Sequence, residues 1–202
     1  MKTIICPISE SEAKFIKDSL LEQQETIVYP TETFYALGCA ATNKRAVEKI
    51  YSLKKRDTNL PLLVLVDSWD MLQDYAQGIV GTTREFLEKY WPGALTAILN
   101  TRRNKLAPEL NTMGSKIGFR MTSSEIARSI IRAAGVPLVG TSANFSSKPE
   151  ASTCETAKNY FGDQVDIYIN GGETPGGMAS TLIDLTMDKI KVVRQGAIQI
   201  SR

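Results

Sequence analysis

The sequence predicts an α/β fold, a single domain built on one twisted, mixed β-sheet with helices packed against it. Three observations predict it. Short β-branched runs alternate with amphipathic stretches early in the chain, strands cluster near its end, and the connections are mostly short, with no internal repeat. The late clustering of strands argues against a purely parallel sheet.

Residues 2–6 read as a first strand. Ser9 and Glu12 then stand in the spacing of a capping box, ahead of a helix with Ala13, Ile16 and Leu20 on one face that runs to about Gln24. Thr26 to Tyr29 is β-branched and aromatic and forms a second strand, which delivers the turn Pro30-Thr31-Glu32-Thr33. Asn43 caps a helix that carries Val47, Ile50 and Tyr51 inward and ends near Lys54-Lys55-Arg56. Leu62 to Val66 is a continuous apolar run, as in a strand covered on both faces, and Asp67 is placed to cap a short helix through Met71, Leu72 and Tyr75. Thr82 and Glu85 repeat the capping-box spacing, and Trp91-Pro92-Gly93 stops that helix.

A strand follows at Leu95 to Leu99. The polar stretch 100–115, with Arg102, Arg103 and Lys105, reads as an exposed loop leading to a strand at Lys116 to Met121. A helix at Ser124 to Ala134 precedes a strand at Val136 to Val139, whose exit is a second polar turn, Gly140-Thr141-Ser142-Ala143-Asn144 and on to Ser147. A helix near Thr153 to Phe161, a strand at Val165 to Ile169, the loop GGETPGG at 171–177, and strands at Ser180 to Leu185 and Ile190 to Arg194 complete the chain. That gives about nine strands and six helices.

With 24 Lys and Arg against 22 Asp and Glu, the net charge is too small to indicate nucleic-acid binding by itself, so any electrostatic footprint comes from local clusters. The absence of histidine removes Ser-His-Asp and Cys-His nucleophile pairs and every His-ligated metal site, and no metal ligands are assigned. Cys6, Cys39 and Cys154 are far apart and odd in number, which fits packing in a reducing cytoplasm better than a disulfide framework. No apolar run approaches the ~20 residues that span a bilayer, so neither a signal peptide nor a membrane partner is expected.

The chemistry-bearing residues fall at element ends, where ligand sites form in sheet proteins. Lys54 and Arg56 would diverge by ~200° on a helix but share a face where the chain unwinds. They either take one anion together, Arg as a planar fork and Lys as a point charge, or complement the helix dipole in solvent. Thr31 and Thr33 share one side of an extended turn with Glu32 on the other, and Ser142 and Asn144 share a face in the same way; each set also reads as ordinary turn chemistry. GGETPGG lacks both phosphate-binding glycine fingerprints and reads as a flexible connector or lid. Arg120 and Arg194 stand near strand ends, facing either a cleft or solvent.

YPTETFYALG, Lys54-x-Arg56 before a P-L-x-V strand, WPGALT at 91–96, IGFRM at 117–121, TSAN at 141–144, STLIDLT and VVRQG occur in order along nearly the whole chain. Together they resemble the YrdC-like family, whose best-known members are threonylcarbamoyl-AMP synthases. The resemblance implies a positively charged concave cavity for ATP, with Mg²⁺, and for L-threonine. Its activity is that of a nucleotidyltransferase: bicarbonate and threonine form a carbamate, which attacks the ATP α-phosphorus and releases pyrophosphate. Partner proteins then pass the threonylcarbamoyl group to an adenosine of tRNA.

Residue by residue, the resemblance implies that Lys54 and Arg56 are catalytic and, with Arg194, Ser142 and Asn144, bind ATP. Thr31, Thr33, Arg120, Ser180 and Thr181 would hold threonine, Arg120 at its carboxylate. The chain departs from the family pattern at Asp57, where proline is common, at Leu60, where lysine or asparagine is common, and at Leu65, where many members have histidine. Asp57 is expected to weaken the positive field beside it. A second class remains open, a non-catalytic binder of tRNA, double-stranded RNA or ribosomes that uses Lys54, Lys55, Arg56 and the cluster at 102–105 on phosphates.

Overall fold

The structure, a computed structural model, describes residues 1–110, 114–146, 148–187 and 189–200. Residues 111–113 of the expected 100–115 loop, and Ser147 of the second polar turn, lie outside them.

Two sheets, where one was expected, organise the described residues. The first holds β1 (Lys2–Ile5), β2 (Ile27–Pro30), β3 (Tyr35–Gly38), β8 (Thr141–Ser142) and β9 (Ile167–Asn170), in the order β1-β9-β2-β3-β8. The second holds β4 (Leu63–Val66), β5 (Leu95–Asn100), β6 (Lys116–Met121), β7 (Leu138–Val139), β10 (Thr181–Asp184) and β11 (Lys191–Arg194), in the order β11-β10-β5-β6-β4-β7. Both are mixed: β1, β9 and β2 run parallel, while β2–β3 and β3–β8 are antiparallel. The helices are α1 (Glu10–Leu21), α2 (Lys44–Lys54), α3 (Trp69–Tyr75), α4 (Thr82–Glu88), α5 (Glu125–Ala134) and α6 (Cys154–Phe161).

Strand alternation decides what lines what. In the second sheet Val64, Val66, Leu95, Ala97, Leu99, Ile117, Phe119, Met121 and Ile183 point into the larger core, which α2 and α6 complete through Val47, Ile50 and Phe161. The residues between them, Leu63, Leu65, Thr96, Ile98, Gly118, Arg120 and Leu182, point to the opposite face and line a cavity. The run Leu62 to Val66 is thus apolar on both faces because one meets the core and the other floors a cleft. A smaller core joins the first sheet to α1 and α5 through Ile4, Ile16, Leu20, Ile27, Tyr29, Ile130 and Ile167.

The capping box of α1 is present, with Ser9 and Glu12 exchanging bonds, and Asn43 caps α2 through Ala46 N. Two other caps differ from expectation. Ser68, not Asp67, caps α3 by accepting from Met71 N. Gly81 precedes α4 with no side-chain cap, so Thr82 and Glu85 form no box. The loop 171–177 is pinned rather than free: Thr174 N donates to Ser152 O and Gly176 N to Thr33 O, while Tyr35 Oη donates to Gly172 O.

A single stretch passes from one sheet to the other. β7 pairs with β4 in the second sheet, β8 pairs with β3 in the first, and only Gly140 separates them. A Cβ at Gly140 would lie 2.7 Å from Leu65 Cγ, and one at Gly38 would lie 2.0 Å from Val139 O, so both positions exclude a side chain.

Candidate active site

Between the two sheets lies a cavity of about 410 Å³. The first sheet contributes Thr31 and Thr33 from the turn after β2, and Ser142 from β8; the second contributes Arg120, Ser180 and Arg194; and Arg56 enters from the segment after α2. Glu150 is the one carboxylate among these lining residues. The floor is apolar, built on Leu63, Leu65, Ile98 and Leu182.

α2 ends because Lys55 takes a left-handed conformation, which sends its neighbours apart. Arg56 lines the cavity, its Nε donating to Leu60 O at 3.2 Å and its Nη2 to Pro61 O at 3.1 Å. Lys54 does not line it. Its ammonium is buried behind the second polar turn, where Nζ donates to Ser142 O, to Asn144 O at 2.9 Å and to Asn144 Oδ1 at 3.0 Å. Ser142 Oγ donates to the same Oδ1 at 2.7 Å. Lys54 therefore fixes the turn that carries Ser142 to the cavity wall, and Asn144 stands behind that wall as well. Burial and then Arg56 press the Lys54 pKa down to about 7, with Glu150 opposing. Burial lowers the Arg56 pKa too, Tyr51 opposing and Arg194 adding to the fall. Cations this close are relieved by an anion.

Thr31 and Thr33 share one side of their turn, Oγ1 to Oγ1 at 3.1 Å, and Glu32 takes the other. Its carboxylate pairs with Arg120 Nη2 at 2.8 Å. Sequence reasoning left Glu32 without a role because its partner stands 88 residues away. Ser180 Oγ lies 2.8 Å from Thr96 Oγ1 on the cavity face. Thr181, grouped with Ser180 from the sequence, points the other way: Oγ1 donates to Ile198 O at 2.6 Å and accepts from Gly196 N, so it holds the C-terminal segment. Arg194 Nη2 donates to Ser180 O at 2.8 Å.

The departures also find places. Asp57 turns its carboxylate onto Asn59, at N and Nδ2, and closes the turn after Arg56. Leu60 is exposed, and Leu65 forms part of the cavity floor. With Lys54 buried, the basic group invoked for RNA loses one of its members. Cys39 and Cys154 are buried packing residues, and no helix among the described residues is long and apolar enough to cross a membrane.

An intersheet cavity rimmed by arginines and hydroxyls has the chemistry to take a small anionic ligand. A sequence model of the Sua5, YciO and YrdC family, described as telomere recombination, matches residues 19–196, and the chain belongs to that family. It is 32% identical over 180 residues to the threonylcarbamoyl-AMP synthase of Bacillus subtilis, covering 89% of this chain and 52% of that protein. Sua5 of Pyrococcus abyssi, solved with L-threonine, superposes with a TM-score of 0.88 at 28% identity, over 96% of this chain and 56% of that one. Escherichia coli YciO superposes with a TM-score of 0.83 at 27% identity, over 96% and 95% of the two chains. The chain thus spans about half the length of the first two relatives.

Proposed function

We propose that this chain forms threonylcarbamoyl-AMP. Threonine and bicarbonate condense to a carbamate with loss of water; a carbamate oxygen then attacks the ATP α-phosphorus, and pyrophosphate leaves. The observation that carries the reading is the gathering of Arg56, Arg120 and Arg194 with Thr31, Thr33, Ser142 and Ser180 in one cavity. The names of the Bacillus synthase and of the threonine-bound Sua5 support it.

In this reading Arg56 and Arg194 neutralise phosphate oxygens, Ser142 lies beside the adenylate, and Arg120 meets the threonine carboxylate near Thr31, Thr33 and Ser180. Lys54 and Asn144 act on the nucleotide through the turn they hold. Mg²⁺ would enter with the triphosphate and supply charge neutralisation at the leaving group; no cluster of three or more acidic or sulfur ligands stands ready for it among the described residues, so no side chain is assigned to hold it. The rest is alignment of two reactants, which needs no histidine. The product passes to threonylcarbamoyl-transferring proteins acting on tRNA, and the unpaired cysteines support a cytoplasmic setting.

The test is incubation with ATP, Mg²⁺ and bicarbonate, with threonine, serine or no amino acid, following pyrophosphate and the mass of the adenylate. Threonine-dependent pyrophosphate with a threonylcarbamoyl-AMP mass is expected; its absence from folded protein overturns the reading. An Arg56→Ala variant that turned over ATP like the parent would remove the central role assigned to Arg56.

A further inference from the structure

Glu32 does not line the cavity, yet its carboxylate is among the most fully engaged in the protein. It accepts from Arg120 Nη2 at 2.8 Å and Nε at 3.2 Å, from Thr122 Oγ1 at 2.5 Å and from Ser123 N at 3.1 Å. These donors come from the end of β6 and the approach to α5, whereas Glu32 belongs to the turn after β2. The bonds continue beyond it: Thr122 Oγ1 accepts from Ser124 N at 3.2 Å, and Ser124 Oγ, which caps α5, donates to Pro30 O at 3.0 Å. One carboxylate therefore ties the first sheet to the second beside the cavity.

Its hold on Arg120 is directional. Glu32 Oε1 takes Nε and Nη2, one side of the guanidinium, while Gly93 O takes Nε as well at 3.2 Å. Thr33 Oγ1, on the cavity wall, is 3.5 Å from Nη2. Nη1 has no partner among the described residues, and Arg120 itself lines the cavity. An arginine side chain has several rotatable bonds, and one held from the side by a carboxylate keeps its far edge in a single direction.

We propose that Glu32 is a positioning residue that aims the Nη1 edge of Arg120 into the cavity, so that the site meets the carboxylate of its amino-acid substrate with a pre-oriented guanidinium. The inference rests on the proposed synthase reading. It adds that recognition of the amino acid, not of the nucleotide, depends on a residue that neither substrate touches. Thr122 belongs to the same device, since it holds the second carboxylate oxygen.

The test is steady-state adenylate formation by the parent, Glu32→Gln and Thr122→Val, varying threonine at saturating ATP and then ATP at saturating threonine. Glu32→Gln is expected to raise the threonine KM at least about tenfold while the ATP KM stays within about twofold, and Thr122→Val to shift the threonine KM in the same direction by less. A parent that is active, with threonine KM unchanged in both variants or rising in step with the ATP KM, overturns the positioning role and leaves the synthase reading standing. A folded parent that makes no threonine-dependent adenylate overturns both. If Glu32→Gln does not fold, Thr122→Val, which keeps the ion pair, decides the matter by the same split.

Discussion

Lys54 Nζ stands 2.9 Å from the carbonyl oxygen of Asn144 and 3.0 Å from its side-chain Oδ1, so one ammonium grips both ends of the same residue. Ser142 O supplies a third acceptor, and the donors of the ammonium are used within the protein. Removing the ammonium leaves the Asn144 carbonyl oxygen without a partner among the described residues, whereas Ser142 O keeps Asn144 N and Asn144 Oδ1 keeps Ser142 Oγ. Lys54→Met is expected to lower stability by about 2 kcal/mol and adenylate formation by more than about a hundredfold. Lys54→Arg is not expected to rescue either, because a planar fork cannot fill a site built for a compact cation. Denaturant titration and steady-state kinetics check both.

The same ammonium predicts a pH dependence. Its folded pKa lies near 7, pushed there by burial, and the unfolded chain holds that proton to the ordinary lysine range near 10.4. Between those values the unfolded state binds more protons, so stability rises with pH from about 7 upward, by at most about 1.4 kcal/mol per pH unit. Below 7 both states are protonated and this group adds no slope. Unfolding titrations between pH 6 and 9 on the parent and Lys54→Met should show the slope in the parent only; equal slopes exclude the assignment.

Asp166 predicts the same sign in a separate window, at acid pH. Its Oδ2 accepts from Lys49 Nζ at 2.6 Å, Thr26 Oγ1 at 2.7 Å and Thr26 N at 2.8 Å, joining the start of β9 to α2 and the start of β2. Burial alone would raise its pKa; the Lys49 and Thr26 bonds outweigh that and hold it below the usual carboxylate range. Its contribution is complete above the unfolded pKa and is lost as pH falls through the folded one. Asp166→Asn should cost about 2 kcal/mol at pH 7 and less at acid pH, as read from unfolding midpoints at both.

At the crossing between the sheets, Gly140→Ala should destabilise by about 1–3 kcal/mol, since its Cβ would lie 2.7 and 2.8 Å from the tip of Leu65. Leu65→Ala should recover part of that loss in the double variant, because the obstacle is a side chain. Gly38→Ala, whose Cβ would meet the backbone oxygen of Val139, should have no such rescue. A double-mutant cycle measures the coupling, and additivity at 140 and 65 would contradict the contact.

Nearly every element that buries a regular stripe was legible in the sequence, because 3.6- and 2-residue periods survive without knowledge of the fold. β3 and β8 were not. β3 follows the polar turn at once and pairs back on β2, and β8 has two residues, too few for a period. The split into two sheets was hidden for the same reason, since Gly140 alone marks the crossing. At the site, the shared faces of Thr31 with Thr33 and Ser142 with Asn144 followed from spacing. The separation of Lys54 from Arg56 did not, because the left-handed conformation of Lys55 belongs to the fold. Thr181 and Ser180 are chain neighbours whose side chains face opposite ways, so only Ser180 meets the cavity.

Gly140 also governs the room available between the sheets. The segment Leu138–Ser142 is hydrogen-bonded into both walls, so the walls share a seam one residue wide, like the binding of a half-open book. Polar contacts also cross between the walls beside that seam: Tyr29 Oη donates to Val139 O at 2.9 Å, and Glu32 pairs with Arg120 Nη2 at 2.8 Å. The book is thus bound by backbone along its spine and clasped by an ion pair, Glu32 with Arg120, whose arginine is itself part of the cavity wall.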